Sequence, residues 1–226
     1  MKKTVVILIP PSEGKASGGE GNPVKPGKDA RAMIERLHSY KGDWGKLLGV
    51  KDKALNEALE ANAAVLKAST LSAIERYRGV VYEGINYRSM AAAARRRFDE
   101  RVRIVSALFG LVKPQDAIPN YKLKMEKLDA AAYWKPIIAE ELDGAFIIDL
   151  LPKAHQKAVE YGEGVRVDFV VERGGKRKPA GHFGKLIKGR FVRWLCEKNM
   201  SDPRRFVDFD EDGYRWNGES FIKVEK

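Results

Sequence analysis

A continuous apolar run, Val5 to Ile9, ends abruptly at Pro10-Pro11 and is followed at once by Ser12-Glu13-Gly14-Lys15. A run with no polar alternation suits a strand buried on both faces. Two prolines end a ladder and hold the next residues extended. The chain is thereby directed toward an α/β arrangement in which a hydroxyl, a carboxylate and an ammonium leave the end of a central strand. Open α/β sheets place their ligand groups at that point, so Ser12, Glu13 and Lys15 are candidate catalytic or ligand-binding residues. Gly14-Lys15 does not belong to a Walker A loop. That motif needs a glycine five residues earlier and a Ser or Thr just after the lysine, and here those places hold Ile9 and Ala16.

Further elements follow the same logic. Gly18 to Lys28 reads as a loop, Asp29 to Tyr40 as an amphipathic helix, and Lys51 to about Ala68 as a second helix with apolar residues at three- and four-residue steps. Val80-Val81-Tyr82 reads as a strand, Ser89 to Glu100 as a helix, and Val102 to Ala107 as a second buried strand. Ile118 to Met125 reads as a proline-led extended edge segment from which Tyr121, Lys122 and Lys124 reach toward a ligand. A helix from Ala130 to Leu142 should bury Tyr133 or Trp134, with Ile137 and Ile138. Ala145 to Leu151 is a third buried strand, and its Asp149 comes just before the Pro152-Lys153 break. Gly174-Gly175 and Asn217-Gly218 mark two hairpins. No repeat or linker divides the 226 residues, which suit one domain.

The surplus of 42 Lys and Arg over 31 Asp and Glu gives a net charge of +11, which favours polyanionic partners. No apolar run approaches the roughly 20 residues of a membrane span, and no signal peptide is indicated. The single cysteine, Cys196, rules out an internal disulfide and fits a reducing cytoplasm. His38, His155 and His182 are too scattered to suggest a zinc site. No metal or cofactor is expected.

Two segments are candidates for contacting phosphate. Trp44 to Leu55 has the form of a helix-hairpin-helix, in which Gly49 would expose backbone amides beside Lys51 and Lys53. Gly181 to Asn199 reads as an amphipathic helix whose Phe183, Ile187, Phe191, Trp194 and Leu195 form one stripe. Lys185, Lys188, Arg190 and Arg193 crowd its other side. Gly189 in their midst would let a phosphate or sugar approach the backbone. This helix and the PPSEGK turn are expected to border one cationic hollow.

The motifs ILIPPSEGK, Tyr82-Glu83-Gly84, SALFGLVKPQDAIPNYKLKM from Ser106, Tyr133-Trp134 and GHFGKLIKGRFVRW from Gly181 together resemble the YaaA peroxide-stress family. The likeness runs from Val5 to about Asp212 and is nearest to a shorter PPSEGK subgroup. It implies a single mixed α/β domain of unusual topology with a helix-hairpin-helix and a basic cleft. It further implies a DNA-binding protein that protects cells from peroxide by limiting free iron. Gly49, Lys51 and Lys53 would then serve the hairpin contact, and Lys185, Lys188, Arg190 and Arg193 would line the cleft. Such backbone contacts select DNA structure rather than sequence. No iron-ligand set is visible, so an effect on iron would be indirect.

The residues equally suit an enzyme. Strand ends after Ile9, Ser106 and Asp149 present polar groups, and Tyr121-Lys122 and His182-Lys185 are placed to converge on them. Ser12, Glu13, Lys15, Tyr121, Asp149 and His182 would form a pocket for a small phosphorylated or nucleotide-like ligand.

Overall fold

In a computed structural model that describes residues 3–225, the apolar run forms β1 (Val5–Ile9), with Ile7, Leu8 and Ile9 fully buried. The chain continues through α1 (Lys28–His38), α2 (Trp44–Leu48) and α3 (Asp52–Ala63). A short strand β2 (Leu71–Ser72), α4 (Ala73–Arg76) and α5 (Val80–Ile85) come next. α6 (Ala92–Arg101) leads into β3 (Val102–Ser106), β4 (Gly110–Val112) and β5 (Ala117–Ile118). α7 (Ala130–Glu141) precedes β6 (Phe146–Asp149) and the single turn α8 (Lys153–Gln156). The last third holds β7 (Glu163–Arg166), β8 (Asp168–Arg173), β9 (Lys176–Pro179), the long α9 (Gly181–Glu197), β10 (Arg215–Trp216) and β11 (Ser220–Glu225).

β1 is the middle strand of a five-stranded sheet of order β4-β3-β1-β6-β7. It runs parallel to β3 and to β6, β7 continues the parallel set, and only β4 is antiparallel. This is the expected mixed α/β architecture. α6 packs on β1 and on α9, α7 packs on β4, and consecutive residues of β1, β3 and β6 are buried. Trp134 of α7 locks that layer by donating from Nε1 to Ala107 O at 2.8 Å.

A second sheet, β10-β11-β8-β9, carries both predicted hairpins, and β11 returns parallel to β8. It is joined to α9 by a knot of aromatic rings centred on Phe191, which meets Phe169, Phe206, Phe209 and Phe221 at 5.0–6.0 Å. One contiguous core runs through both sheets.

Three local expectations fail for tertiary reasons. Val80-Val81-Tyr82 is helical, not extended: Gly79, at φ 132, turns the chain into α5. α5 is held there by α9, where Gly84 and Gly189 meet face to face. A Cβ on Gly84 would lie 2.3 Å from Leu186 O, and one on Gly189 would lie 2.1 Å from Val81 O. Gly189 is therefore a buried helix-crossing residue and offers no bare backbone to a phosphate. Phe183 falls off the expected apolar stripe; it is exposed beside Lys223, whose ammonium lies 5.3 Å from its ring.

The glycine contact yields a direct check. Gly84→Ala should destabilise the fold by about 1–3 kcal/mol through overpacking, read as a lowered denaturant midpoint, and Gly189→Ala should act in the same direction.

Candidate functional site

Because β1, β3 and β6 are parallel neighbours, their carboxyl ends open on one edge of the sheet. A cavity of about 260 Å³ lies there, lined by Pro11, Ser12, Glu13 and Lys15, by residues 121–126, and by Pro152, Ala154 and His155. The site is built from the loops that the proline breaks after β1 and β6 throw outward, closed by the segment that follows β5.

The loop after β1 is held from behind. Ala16 N–H donates to Arg76 O at 2.8 Å and Arg78 N–H to Gly14 O at 2.9 Å, which pairs Lys15 with Tyr77 in an isolated bridge. Arg76 itself is wholly buried and donates to the carbonyls of Ala16, Ser69 and Ile118. Gly79 makes room for the turn, since a Cβ there would lie 2.8 Å from Ser12 Oγ.

Lys15 projects from this clamp onto aromatic rings. Its Nζ lies 4.3 Å from the Tyr121 centroid and 5.5 Å from that of Tyr77, and it donates to Ser12 O at 3.1 Å. Among the described residues no carboxylate lies within ion-pair distance of it. The nearby Glu13 is instead held by Lys122 at 3.2 Å and Lys124 at 3.3 Å. Burial first, then like charge from Lys122, pushes the Lys15 ammonium down to about 7; Glu13 pulls the other way, and Arg76 adds the smallest lowering share. A large fraction of this amine is thus neutral near pH 7. Burial acts to raise the Glu13 carboxyl, yet the bonds and charge of its two lysines hold it below the ordinary carboxylate range.

Behind Lys15 is a chain of hydroxyls. Ser106 Oγ accepts from the Leu108 and Phe109 amides at 3.2 and 3.1 Å, so its own proton goes to Tyr121 Oη at 2.8 Å. Tyr121 and Tyr77 share a 2.6 Å hydrogen bond. Burial raises both phenols above their usual range, so they stay protonated.

The sequence candidates divide cleanly. Ser12, Glu13, Lys15, Tyr121 and Lys122 come together. Asp149 does not line the cavity: it is fully buried, raised by that burial, and bonded to the Leu151 amide, Tyr161 and Arg166. His182 is exposed at the start of α9, outside the cavity lining.

α9 contributes no lining residue, so the expected hollow shared by PPSEGK and this helix is not what forms. Lys188 points inward to Leu150 O, where burial lowers its pKa. Arg190 is paired with Glu211 and Asp212, and Arg193 with Glu197 and the carbonyls of Ile85 and Asn86. The larger hollow beside these two arginines, about 560 Å³, has five carboxylates in its lining and so repels phosphate. Lys185 remains exposed.

The α2–α3 turn exists, but Gly49, at φ 67, bonds its own amide to Gly45 O at 2.8 Å, so the expected phosphate-binding N–H is occupied. Lys51 and Lys53 are exposed beside it. The turn also abuts the cavity wall, for a Cβ on Gly49 would sit 3.2 Å from Lys124 Nζ.

Sequence reasoning passed over His155, Ser106, Tyr77 and Arg76. His155 carried a signal, the Pro152 break after a buried strand, which mirrors Pro10-Pro11. Its Nδ1 is buried with no protein hydrogen-bond partner, and burial pushes its pKa down to about 4. Among the described residues, no group of three or more His, Cys, Asp or Glu is placed to hold a metal ion, and no helix is long and apolar enough to cross a membrane.

A parallel-centred α/β domain with a small cavity around an unpaired lysine, at the carboxyl edge of its sheet, is the class of protein these features define. Sequence comparison supplies its family. The profile of the peroxide stress protein YaaA matches residues 5–220. A UPF0246 protein of Streptomyces coelicolor is 33% identical over 97% of this chain and 94% of its own length. A UPF0246 protein of Corynebacterium glutamicum is 35% identical over 85% of each chain. The chain belongs to the YaaA peroxide stress (UPF0246) family.

His155 gives the site a pH signature. Its folded pKa of about 4 lies below the unfolded value near 6.5, so the unfolded chain binds the extra proton first. The stability it contributes is complete above pH 6.5 and is lost as pH falls toward 4. His155→Gln should therefore flatten the decline of the denaturation midpoint across that interval.

Proposed function

We propose that this YaaA-family protein acts through the cavity at the end of β1, as an enzyme on a small polar ligand with Lys15 as its working amine. The observation that carries this reading is the distribution of ion pairs. Two lysines are tied to Glu13, whereas Lys15 is left on aromatic rings with a pKa of about 7. A lysine tuned to neutrality by burial is the form that serves as nucleophile or base. The cavity volume, just under the roughly 300 Å³ at which drug-sized pockets begin, suits a compact ligand or one unit of a larger one.

A second reading, DNA binding through the phosphate backbone, is favoured by one placement. Lys51 and Lys53, the latter 3.8 Å from Glu57, are exposed on the turn that abuts Lys124, which sets these cations beside the cavity rim. In that reading the role in peroxide stress is protection of DNA from iron-dependent oxidation, with iron affected only indirectly. A cytoplasmic setting fits both readings, since Cys196 is a free buried thiol.

The readings separate in one pair of measurements. Lys15→Met should abolish ligand-induced thermal shifts in a panel of phosphorylated metabolites and nucleotides while leaving duplex-oligonucleotide anisotropy unchanged. Joint charge reversal at Lys51 and Lys53 should do the opposite, and should reduce the slope of log affinity against log salt by about 2. Panel responses that survive Lys15→Met would remove the first reading, and an unchanged salt slope the second.

A further inference from the structure

The groups around Lys15 restrict what it can react with. Ser12 Oγ makes no hydrogen bond to a histidine or carboxylate among the described residues, so no base activates it. Glu13 is held as an anion by two ammonium groups and is a weak base. Cys196 is buried, its thiol raised to about 12 by that burial, and lies outside the cavity lining. The amine is left as the nucleophile of the cavity. It is aimed by the Lys15–Tyr77 backbone bridge and by Ser12 O.

The same wall contains an oxyanion clamp already in use. Lys122 Nζ and Lys124 Nζ each take one oxygen of the Glu13 carboxylate, at 3.2 and 3.3 Å. Glu13 sits on the rim with its side chain 65% exposed, whereas those of Lys122 and Lys124 are 20% and 34% exposed. An incoming phosphate is the stronger ligand for two convergent ammonium groups, and the glutamate is free to swing toward solvent.

We propose that the substrate is a phosphorylated aldehyde or ketone, which Lys15 captures as a Schiff base while Lys122 and Lys124 hold its phosphate. The proposal rests on the cavity being the working site. The Nζ lone pair adds to the carbonyl carbon and the carbonyl π pair moves to oxygen; the nitrogen then releases one proton to solvent as the alkoxide takes one up, which gives the neutral carbinolamine. A further proton from solvent converts its hydroxyl to water, which leaves as the nitrogen lone pair forms the C=N bond of the iminium, and loss of the nitrogen's remaining proton gives the imine. Amine and carbonyl become imine and water, with no change of oxidation state. Until it loses that proton the iminium is a cation on the Tyr121 and Tyr77 rings over which Lys15 Nζ already lies. His155 also belongs to the cavity lining and adds a neutral imidazole to the wall against which the substrate would rest.

A phosphate-bearing aldehyde has two sources, a free sugar-phosphate-like molecule or the ring-opened deoxyribose of an abasic nucleotide within a DNA strand. Reductive trapping distinguishes them. The intact protein is incubated with glycolaldehyde phosphate, with unphosphorylated glycolaldehyde, or with an oligonucleotide carrying one abasic site, then treated with borohydride. Hydride adds to the imine carbon and fixes the adduct for peptide mapping.

The expected result is an adduct on the Lys15 peptide. It should be lost in Lys15→Arg and, for the phosphorylated probe alone, diminished in Lys122→Met. Trapping by the free probe alone assigns a small-molecule substrate, and trapping by the abasic strand alone assigns DNA. Mapping in the unsubstituted protein keeps the test valid if Lys15→Arg folds poorly. Adducts confined to surface lysines, or an undiminished yield in Lys15→Arg, overturn the proposal. If Lys15 still reacts first with a limiting acylating reagent at pH 7, the carbonyl assignment alone has failed. If that selectivity is absent as well, the cavity reading fails with it.

Discussion

The guanidinium of Arg76, buried without a carboxylate among the described residues and bonded to three main-chain carbonyls, fixes the geometry on which the site depends. It ties the loop after β1 to the stretch before α4 and to β5, three pieces of chain far apart in sequence. A guanidinium cannot lose its proton, so its charge persists in the interior. Loss of water and the charge of Lys122, to which Arg76 adds a smaller share, make a cation at Lys15 unfavourable. The arrangement that positions the loop therefore also helps to neutralise its lysine.

The separation of charge follows from this. In water a surface lysine gains little from a neighbouring carboxylate, but at a cavity wall the choice of partner decides which amine stays charged. Glu13 is taken by Lys122 and Lys124, and Lys15 keeps only π faces and one carbonyl. Along α9 the reverse holds, since Arg190 and Arg193 are matched by acids and main-chain oxygens. The net charge of +11 is consequently a poor guide to where the chemistry lies. Three of the four cations of α9 expected to face a phosphate, Lys188, Arg190 and Arg193, are engaged by the protein's own acids and carbonyls.

Much of this was legible before any coordinates. An unbroken apolar run stopped by two prolines admits few outcomes, and β1 with its outgoing Ser12, Glu13 and Lys15 is one of them. Tyr121 and Lys122, expected on an extended edge segment, lie in irregular chain just after β5, on the cavity wall. What escaped was non-local. Val80-Val81-Tyr82 has strand chemistry and becomes helix because Gly84 must meet Gly189, and nothing near either glycine announces the other. Arg76 carries no signal in its local sequence, its three carbonyl partners being supplied by topology. Asp149 is the buried last residue of β6 and His155 lies in the turn of helix that follows Pro152, so six residues separate a core carboxylate from a cavity side chain. Periodicity does not report that difference.

The central claim is that Lys15 is an amine held in a cavity and titrating near pH 7, so that a large fraction of it is neutral there. The direct test is to follow the Nζ resonance of Lys15 by NMR in protein labelled with nitrogen-15 lysine, assigned through Lys15→Arg, across pH 5 to 11. A midpoint near 7, well separated from the other lysines, is the predicted result. A midpoint near the ordinary lysine value of about 10.4 would contradict the account.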